Sequence, residues 1–69
     1  MIQLERYFRI YGEATKALRE CKYENASYLF NLLLSFFEED KESIKDYEHL
    51  IEVLKKNIEA CDILNNNNI

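Results

Sequence analysis

The segment Tyr-Leu-Phe-Asn-Leu-Leu-Leu-Ser-Phe-Phe, residues 28–37, decides the fold of this chain. Eight of its ten residues are large and apolar, and only Asn31 and Ser35 interrupt them. As a helix, the segment is apolar over much more than the stripe of about 100° that a half-buried helix needs. Such a helix must be covered on two sides. We expect the rest of the chain to supply one cover and a protein partner to supply the other.

The residues before this segment predict a helix over residues 2–22, because apolar side chains recur every three or four positions. They form two neighbouring lines, Leu4, Phe8, Tyr11 and Leu18 beside Ile10, Ala14, Ala17 and Cys21. Gly12 is expected either at the surface or at a close approach of another helix. Asn25 can cap a new helix from Ala26. We favour this break over one long kinked helix across residues 2–38.

The residues after the segment predict a last helix from Ser43 to Leu64. Three acids at residues 38–40 oppose the helix dipole, so the preceding helix is expected to end near them unless they belong to the amino terminus of the next helix. Ser43 and Asp46 have the spacing of a capping box. The apolar stripe of the last helix is Ile44, Tyr47, Ile51, Leu54, Ile58 and Cys61, widened on one flank by Leu50, Val53, Ala60 and Leu64. We expect this stripe to pack on the segment 28–37.

The fold class that follows is all-α, either a small helical hairpin or an up-down three-helix bundle. With 69 residues the chain makes one domain, placed at residues 1–64, and a disordered Asn-rich tail is expected at residues 65–69. No segment is long and apolar enough for a membrane helix, and no signal peptide is present. The chain therefore reads as cytoplasmic, with Cys21 and Cys61 reduced and buried.

Composition and spacing argue against several classes of function. The net charge of −4 disfavours nucleic acid as a partner. His49, the only histidine, lies off the apolar stripe and is expected to face solvent without a metal or proton-transfer role. The acids at residues 38–42 match no Ca²⁺ loop. No phosphate-binding glycine loop and no Ser or Cys with a suitably spaced histidine is present. We therefore expect no enzyme activity, no cofactor and no metal, and a protein partner instead.

The chain opens with Met1-Ile2-Gln3-Leu4-Glu5, followed by Phe8, and its last helix contains Tyr47, Ala60, Ile63 and Leu64. In these residues both ends of the chain resemble the small E component of the type III secretion needle chaperone. It implies a cytoplasmic helical hairpin that acts as a co-chaperone. The implied partners are a tetratricopeptide-like chaperone subunit and, through it, the needle subunit.

A second resemblance lies in Tyr23-Glu24-Asn25-Ala26 and Leu29-Phe30. These residues are similar to the core of tetratricopeptide or microtubule-interacting-and-transport modules, which implies binding of an amphipathic helix in a groove. A small phage or plasmid protein that inhibits an enzyme is a third alternative. The sequence does not distinguish a homodimer from a hetero-oligomer. The residues expected to contact a partner are Tyr28, Leu29, Leu33, Phe36, Phe37, Ile51, Leu54 and Ile58.

Overall fold

A computed structural model describes residues 4–67, which form three α-helices and one short 3-10 helix. Helix α1 is Leu4–Arg19, α2 is Tyr23–Glu39 and α3 is Tyr47–Asn67, with the 3-10 turn at Lys41–Ser43. No strand occurs within this range. The all-α class is confirmed, and of the two expected architectures the three-helix bundle is the correct one.

The break between α1 and α2 is confirmed, but it lies earlier than predicted. Helix α1 ends in a Schellman-type turn, in which the Cys21 N–H donates to the Leu18 carbonyl at 3.1 Å and the Lys22 N–H donates to the Ala17 carbonyl at 2.9 Å. Cys21 adopts a left-handed conformation with φ 60°. The chain can therefore re-enter a helix at once, and the predicted Asn25 cap is wrong.

Cys21 is exposed, which corrects the expectation that both cysteines are buried. The prediction extended α1 to residue 22 and so placed Cys21 on an apolar helical line. Because the helix ends at Arg19, the Cys21 side chain leaves that line and faces solvent. Cys61, in contrast, is fully buried, as expected.

The start of α3 is also shifted. Ser43 belongs to the 3-10 turn, and Asp46, with φ 59°, accepts the first helical hydrogen bond from the Leu50 N–H at 3.1 Å. The left-handed residue interrupts the helix predicted from Ser43, so the capping box is wrong. The helix then continues to Asn67, beyond the predicted end at Leu64. Residues 65–67 are thus helical instead of disordered, and residues 68 and 69 lie outside the described range.

Helix α2 is central and packs against both α1 and α3, which contact one another far less. The amino-terminal half of α1 lies beside the carboxyl end of α2, so these helices are antiparallel. The predicted stripe of α3 does pack on α2, since Leu54 and Cys61 are buried with Phe30 and Leu33. The core cluster consists of Tyr7, Ala14, Ala17, Ala26, Phe30, Leu33, Leu54 and Cys61.

The two-sided burial of the segment 28–37 is achieved within the chain. Helix α1 covers one side of α2 and helix α3 covers the other. Phe30 and Leu33 are fully buried, and only Tyr28, at 66 % exposed, stands out from this segment as an exposed large apolar residue. The expectation that a partner must supply the second cover is therefore wrong for this segment.

Candidate functional site

The residues predicted to contact a partner do not form one open surface. Leu33, Ile51 and Leu54 are buried at 1 %, 8 % and 2 % exposure in the chain's own core, so a partner cannot reach them. Tyr28 is exposed and lies in a surface depression with residues of α1, among them Glu13 and Lys16. The remaining four residues are half-buried: Leu29, Phe36, Phe37 and Ile58. The prediction of a partner face is therefore wrong for the three buried residues, which hold the bundle together instead.

An apolar groove runs between α1 and α3 along the edge where these two helices separate, and its volume is about 530 Å³. Helix α2 forms its floor. Its lining residues are Tyr7, Phe8 and Tyr11 from α1, Leu33 and Phe37 from α2, Ser43, Ile44 and Lys45 from the connection, and Leu50, Val53 and Leu54 from α3. The lining is apolar apart from Tyr hydroxyl groups, Ser43 and Lys45.

Aromatic packing holds the α1 wall of the groove in place. The Tyr7 ring makes an edge contact with Phe37 at a centroid distance of 4.9 Å and stacks near Phe36 at 6.4 Å. Tyr11 meets Phe30 edge-on at 6.1 Å. Such offset and edge-to-face pairs are the arrangements that aromatic quadrupoles favour. These contacts pack the wall against α2, and Phe8 projects from it at 71 % exposure.

A hydrogen bond from the Tyr7 hydroxyl to the Asp40 carboxylate ties the same wall to the end of α2. Burial first, and then this hydrogen bond to Asp40, raise the pKa of Tyr7 to about 12. The Arg6 guanidinium lies 3.8 Å from the centroid of the Phe36 ring and adds a cation–π contact at the same end of the bundle. Tyr7 therefore anchors the wall and is not free to act as an acid or base near neutral pH.

The opposite end of the bundle brings Cys21, Tyr23 and Cys61 close together. Interaction with the neighbouring Cys21 thiol, and then burial, raise the pKa of Tyr23. Burial raises the pKa of the Cys61 thiol, which keeps it protonated and a poor nucleophile. Both cysteines are free thiols. Cys61 thus belongs to the core at this end, whereas Cys21 lies at the surface.

The sequence analysis did not include Tyr7 among the apolar lines of α1, and it did not decide which of the two lines faces α2. Tyr7 extends the line of Ile10, Ala14 and Ala17 with steps of three, four and three residues, but this spacing alone does not distinguish the line from its neighbour. The flank of α3 that contains Leu50 and Val53 is a second apolar stripe, and this stripe lines the groove. A helix with two apolar stripes requires two neighbours, and α3 has only α2.

Gly12 is exposed, and a Cβ added there would meet nothing within 4 Å. It therefore marks no close helix approach. Within residues 4–67 no group of acidic, His and Cys side chains is arranged to hold a metal ion, and no helix there has the length and apolarity needed to cross a membrane. Neither a protein-family model, nor a curated protein, nor a solved structure matches this chain.

Proposed function

We propose that this chain is a non-enzymatic interaction protein that binds the apolar face of a partner helix in the groove between α1 and α3. The observation that supports this is an open apolar groove beside an exposed aromatic side chain. Binding of an amphipathic helix in a groove between two helices is a common recognition mode. The groove offers aromatic and aliphatic side chains for such a contact in Phe8, Tyr11 and Ile44.

The energetic reason to fill the groove is the exposure of Phe8. Covering a large apolar side chain is worth about 1.5–3 kcal/mol when it passes from full exposure to full burial. Phe8 is 71 % exposed, so a partner that covers it gains roughly 1–2 kcal/mol from this residue alone. Half-buried Leu50 and Val53 on the facing wall add to that gain.

This proposal favours a groove-binding module of the tetratricopeptide or microtubule-interacting-and-transport kind among the alternatives that the sequence raises. A cytoplasmic co-chaperone of a type III secretion needle complex stays a second proposal, because a helical-repeat partner also presents helices. Its contact surface then moves from Leu33 and Leu54, which are buried, to Phe8 and Tyr11. No observation favours the enzyme-inhibitor alternative.

A matched pair of substitutions tests the groove. Phe8→Glu places a charge on the groove wall, whereas Tyr28→Glu makes the same change at a residue of similar exposure, 66 %, outside the groove lining. The probe is a designed helical peptide of about 15 residues with one leucine stripe and no net charge. We expect Phe8→Glu to weaken binding at least about tenfold, since a buried unpaired charge is strongly unfavourable, and Tyr28→Glu to leave it unchanged.

Equal binding by the two variants, or no binding by the parent chain, would contradict the proposal. Circular dichroism of each variant confirms that the helices remain folded. Capture from the host, followed by identification of the bound chains, then separates the two partner classes. A stoichiometric helical-repeat protein together with a small filament subunit supports the co-chaperone, and several proteins that share a short helical segment support the groove-binding module.

A further inference from the structure

The apolar surface of the groove continues along α1 and α3 as two lines of residues with coiled-coil spacing. Their steps alternate between three and four residues, the alternation with which helices pack lengthwise against other helices. We call them the outer lines, because all their members are half-buried or exposed. They consist of Phe8, Tyr11, Thr15 and Leu18 on α1, and of Leu50, Val53, Asn57, Ala60 and Leu64 on α3.

The two outer lines lie side by side on one face of the molecule. Phe8 and Tyr11 line one wall of the groove, and Leu50 and Val53 line the other. Both walls come from the amino-terminal halves of their helices, so α1 and α3 run in the same direction. A helix confined to the groove would leave the carboxyl-terminal part of the α3 line uncovered, where Leu64 is 41 % exposed.

The exposed area of the chain is that of a protein with one uncovered interface. The three helices extend over 42 × 20 × 14 Å and expose 5242 Å² at a mass of 8.3 kDa. A compact monomer of this mass exposes about 4,600 Å², so roughly 600 Å² are in excess. Each partner of a standard stable interface contributes about 800 Å². The excess therefore approaches the area that one dimer interface covers.

Asn57 is the one polar residue in the outer line of α3, and it lies at the midpoint of that line. Its Nδ2 donates to the Val53 carbonyl at 3.0 Å, and within residues 4–67 its Oδ1 accepts no hydrogen bond. A two-fold axis brings a residue beside it against its own copy, so that residue must complement itself. An amide does so, because it has both donors and an acceptor. An apolar partner helix would instead leave the Asn57 oxygen without a partner, which is unfavourable.

The outer line of α1 has its midpoint at the same level of the bundle. Two pairs of residues mark equal levels of α1 and α3, namely Phe8 with Val53 at the groove and Ala17 with Cys61 in the core. Midway between these levels lie Gly12 on α1 and Asn57 on α3. One two-fold axis perpendicular to both helices can therefore pass beside Gly12 and Asn57 and reverse both outer lines at once.

We infer that the occupant of the groove is a second copy of this chain, in an antiparallel two-fold dimer whose axis passes beside Asn57. This inference rests on the proposed function and names its partner. Each outer line then packs on its own copy, so the two lines of one chain cover the two lines of the other. Asn57 pairs with Asn57 of the second copy, and a single Asn in such a line fixes register and helix number.

The dimer also gives a reason for Gly12. A glycine inside a helix lowers its stability by about 1 kcal/mol relative to Ala, and within the chain a Cβ at this position would meet nothing within 4 Å. In the dimer the missing side chain lets the two copies of α1 approach closely beside the axis.

Sedimentation equilibrium of the full chain tests the dimer. We expect a dimer that dissociates on dilution. Phe8→Glu should raise its dissociation constant at least about tenfold, because it buries an unpaired charge in each copy. Tyr28→Glu makes the same change at similar exposure outside the groove lining and should leave the constant unchanged. Circular dichroism of both variants confirms that the helices remain folded.

Asn57→Asp and Asn31→Asp form a matched pair that tests the position of the axis. Both add one negative charge and remove a hydrogen bond from a side-chain amide to the carbonyl four residues earlier, at 3.0 and 2.9 Å. Asn57→Asp sets two carboxylates against one another and should weaken the dimer at least about tenfold. Asn31 is exposed on α2, outside the outer lines, and Asn31→Asp should have no effect. Equal effects of the two substitutions would overturn the inference.

The remaining outcomes separate this inference from the proposed function. A chain that stays monomeric at high concentration and binds the designed peptide through Phe8 has another protein as its partner, which overturns the inference alone. A monomer that binds no peptide overturns both. A dimer that Phe8→Glu does not weaken has its interface elsewhere, and this also overturns the inference. Because the second copy competes with the peptide, peptide binding is measured on the chain diluted to its monomer.

Discussion

Replacing Cys21 with Gly should stabilise this protein. Cys21 is the left-handed residue of the Schellman-type turn that ends α1, with φ 60°. An L-residue in this conformation costs about 1–2 kcal/mol, and Gly avoids that cost. The greater conformational freedom of Gly in the unfolded chain offsets about 0.5–1 kcal/mol of this gain in stability. The expected net gain is therefore about 0.5–1 kcal/mol, which corresponds to a rise in Tm of roughly 3–6 °C for a domain of this size.

Thermal and urea unfolding under reducing conditions, followed by circular dichroism, measure this gain. Cys21→Ala is the matched control, because it removes the thiol beside Tyr23 and keeps an L-residue with positive φ. Its Tm should stay close to that of the parent chain. A Cys21→Gly variant with an unchanged or lower Tm would refute the argument from backbone conformation. Equal stabilisation by Ala and Gly would show that loss of the thiol, and not relief of strain, is the cause.

Two further perturbations test the core. Leu54 is 2 % exposed, so Leu54→Ala should lower the free energy of unfolding by about 2–5 kcal/mol and unfold much of the population. The same change at Leu64, which is 41 % exposed, should lower it little. Similar losses of Tm at both sites would contradict the packing of α3 on α2. The pKa of Tyr7 is raised to about 12 from 10, so its contribution to stability is complete below pH 10 and is lost as the pH rises through 12. Tyr7→Phe should remove the last step of the tyrosinate absorbance titration and flatten this alkaline loss, and an unchanged titration would contradict the assignment.

The fold was predictable from sequence where one apolar stripe had one possible partner. Helix α3 carries Ile51, Leu54 and Cys61 at a regular spacing, and all three are buried. The segment 28–37 is apolar on several faces, and covers on two sides were expected for it. The source of the second cover was mistaken, because periodicity states how many neighbours a helix needs and does not state whether they come from the same chain.

The rotation of α1 about its axis was not predictable from periodicity. Its two apolar lines have similar spacing, so periodicity leaves open which of them faces α2. In the structure the smaller residues Ala14 and Ala17 face α2, because they permit close helix approach. Tyr7 is buried with them because its hydroxyl donates a hydrogen bond to the carboxylate of Asp40, which is distant in sequence. No local pattern reveals such a partner.

The helix ends were misplaced for a related reason. Two non-glycine residues, Cys21 and Asp46, adopt positive φ at the two chain reversals. Sequence reasoning assigns such positions to Gly first, since an L-residue resists this conformation. Without that signal, the prediction extended α1 past Arg19 and started α3 at Ser43. The errors at the end of α1 and at the start of α3 therefore have one cause: an L-residue occupies a left-handed position where Gly is more usual.

The uncovered apolar surface, which the sequence placed on α2, lies instead at the edge between α1 and α3. Helix α2 has two apolar faces and two neighbouring helices, so both faces are covered within the chain. Helix α3 also has two apolar faces, but only its inner stripe has a neighbour. Its second flank, which contains Leu50 and Val53, lines the groove opposite Phe8. The reasoning that two apolar faces require two covers is sound, and it applies to α3, where the chain provides only one.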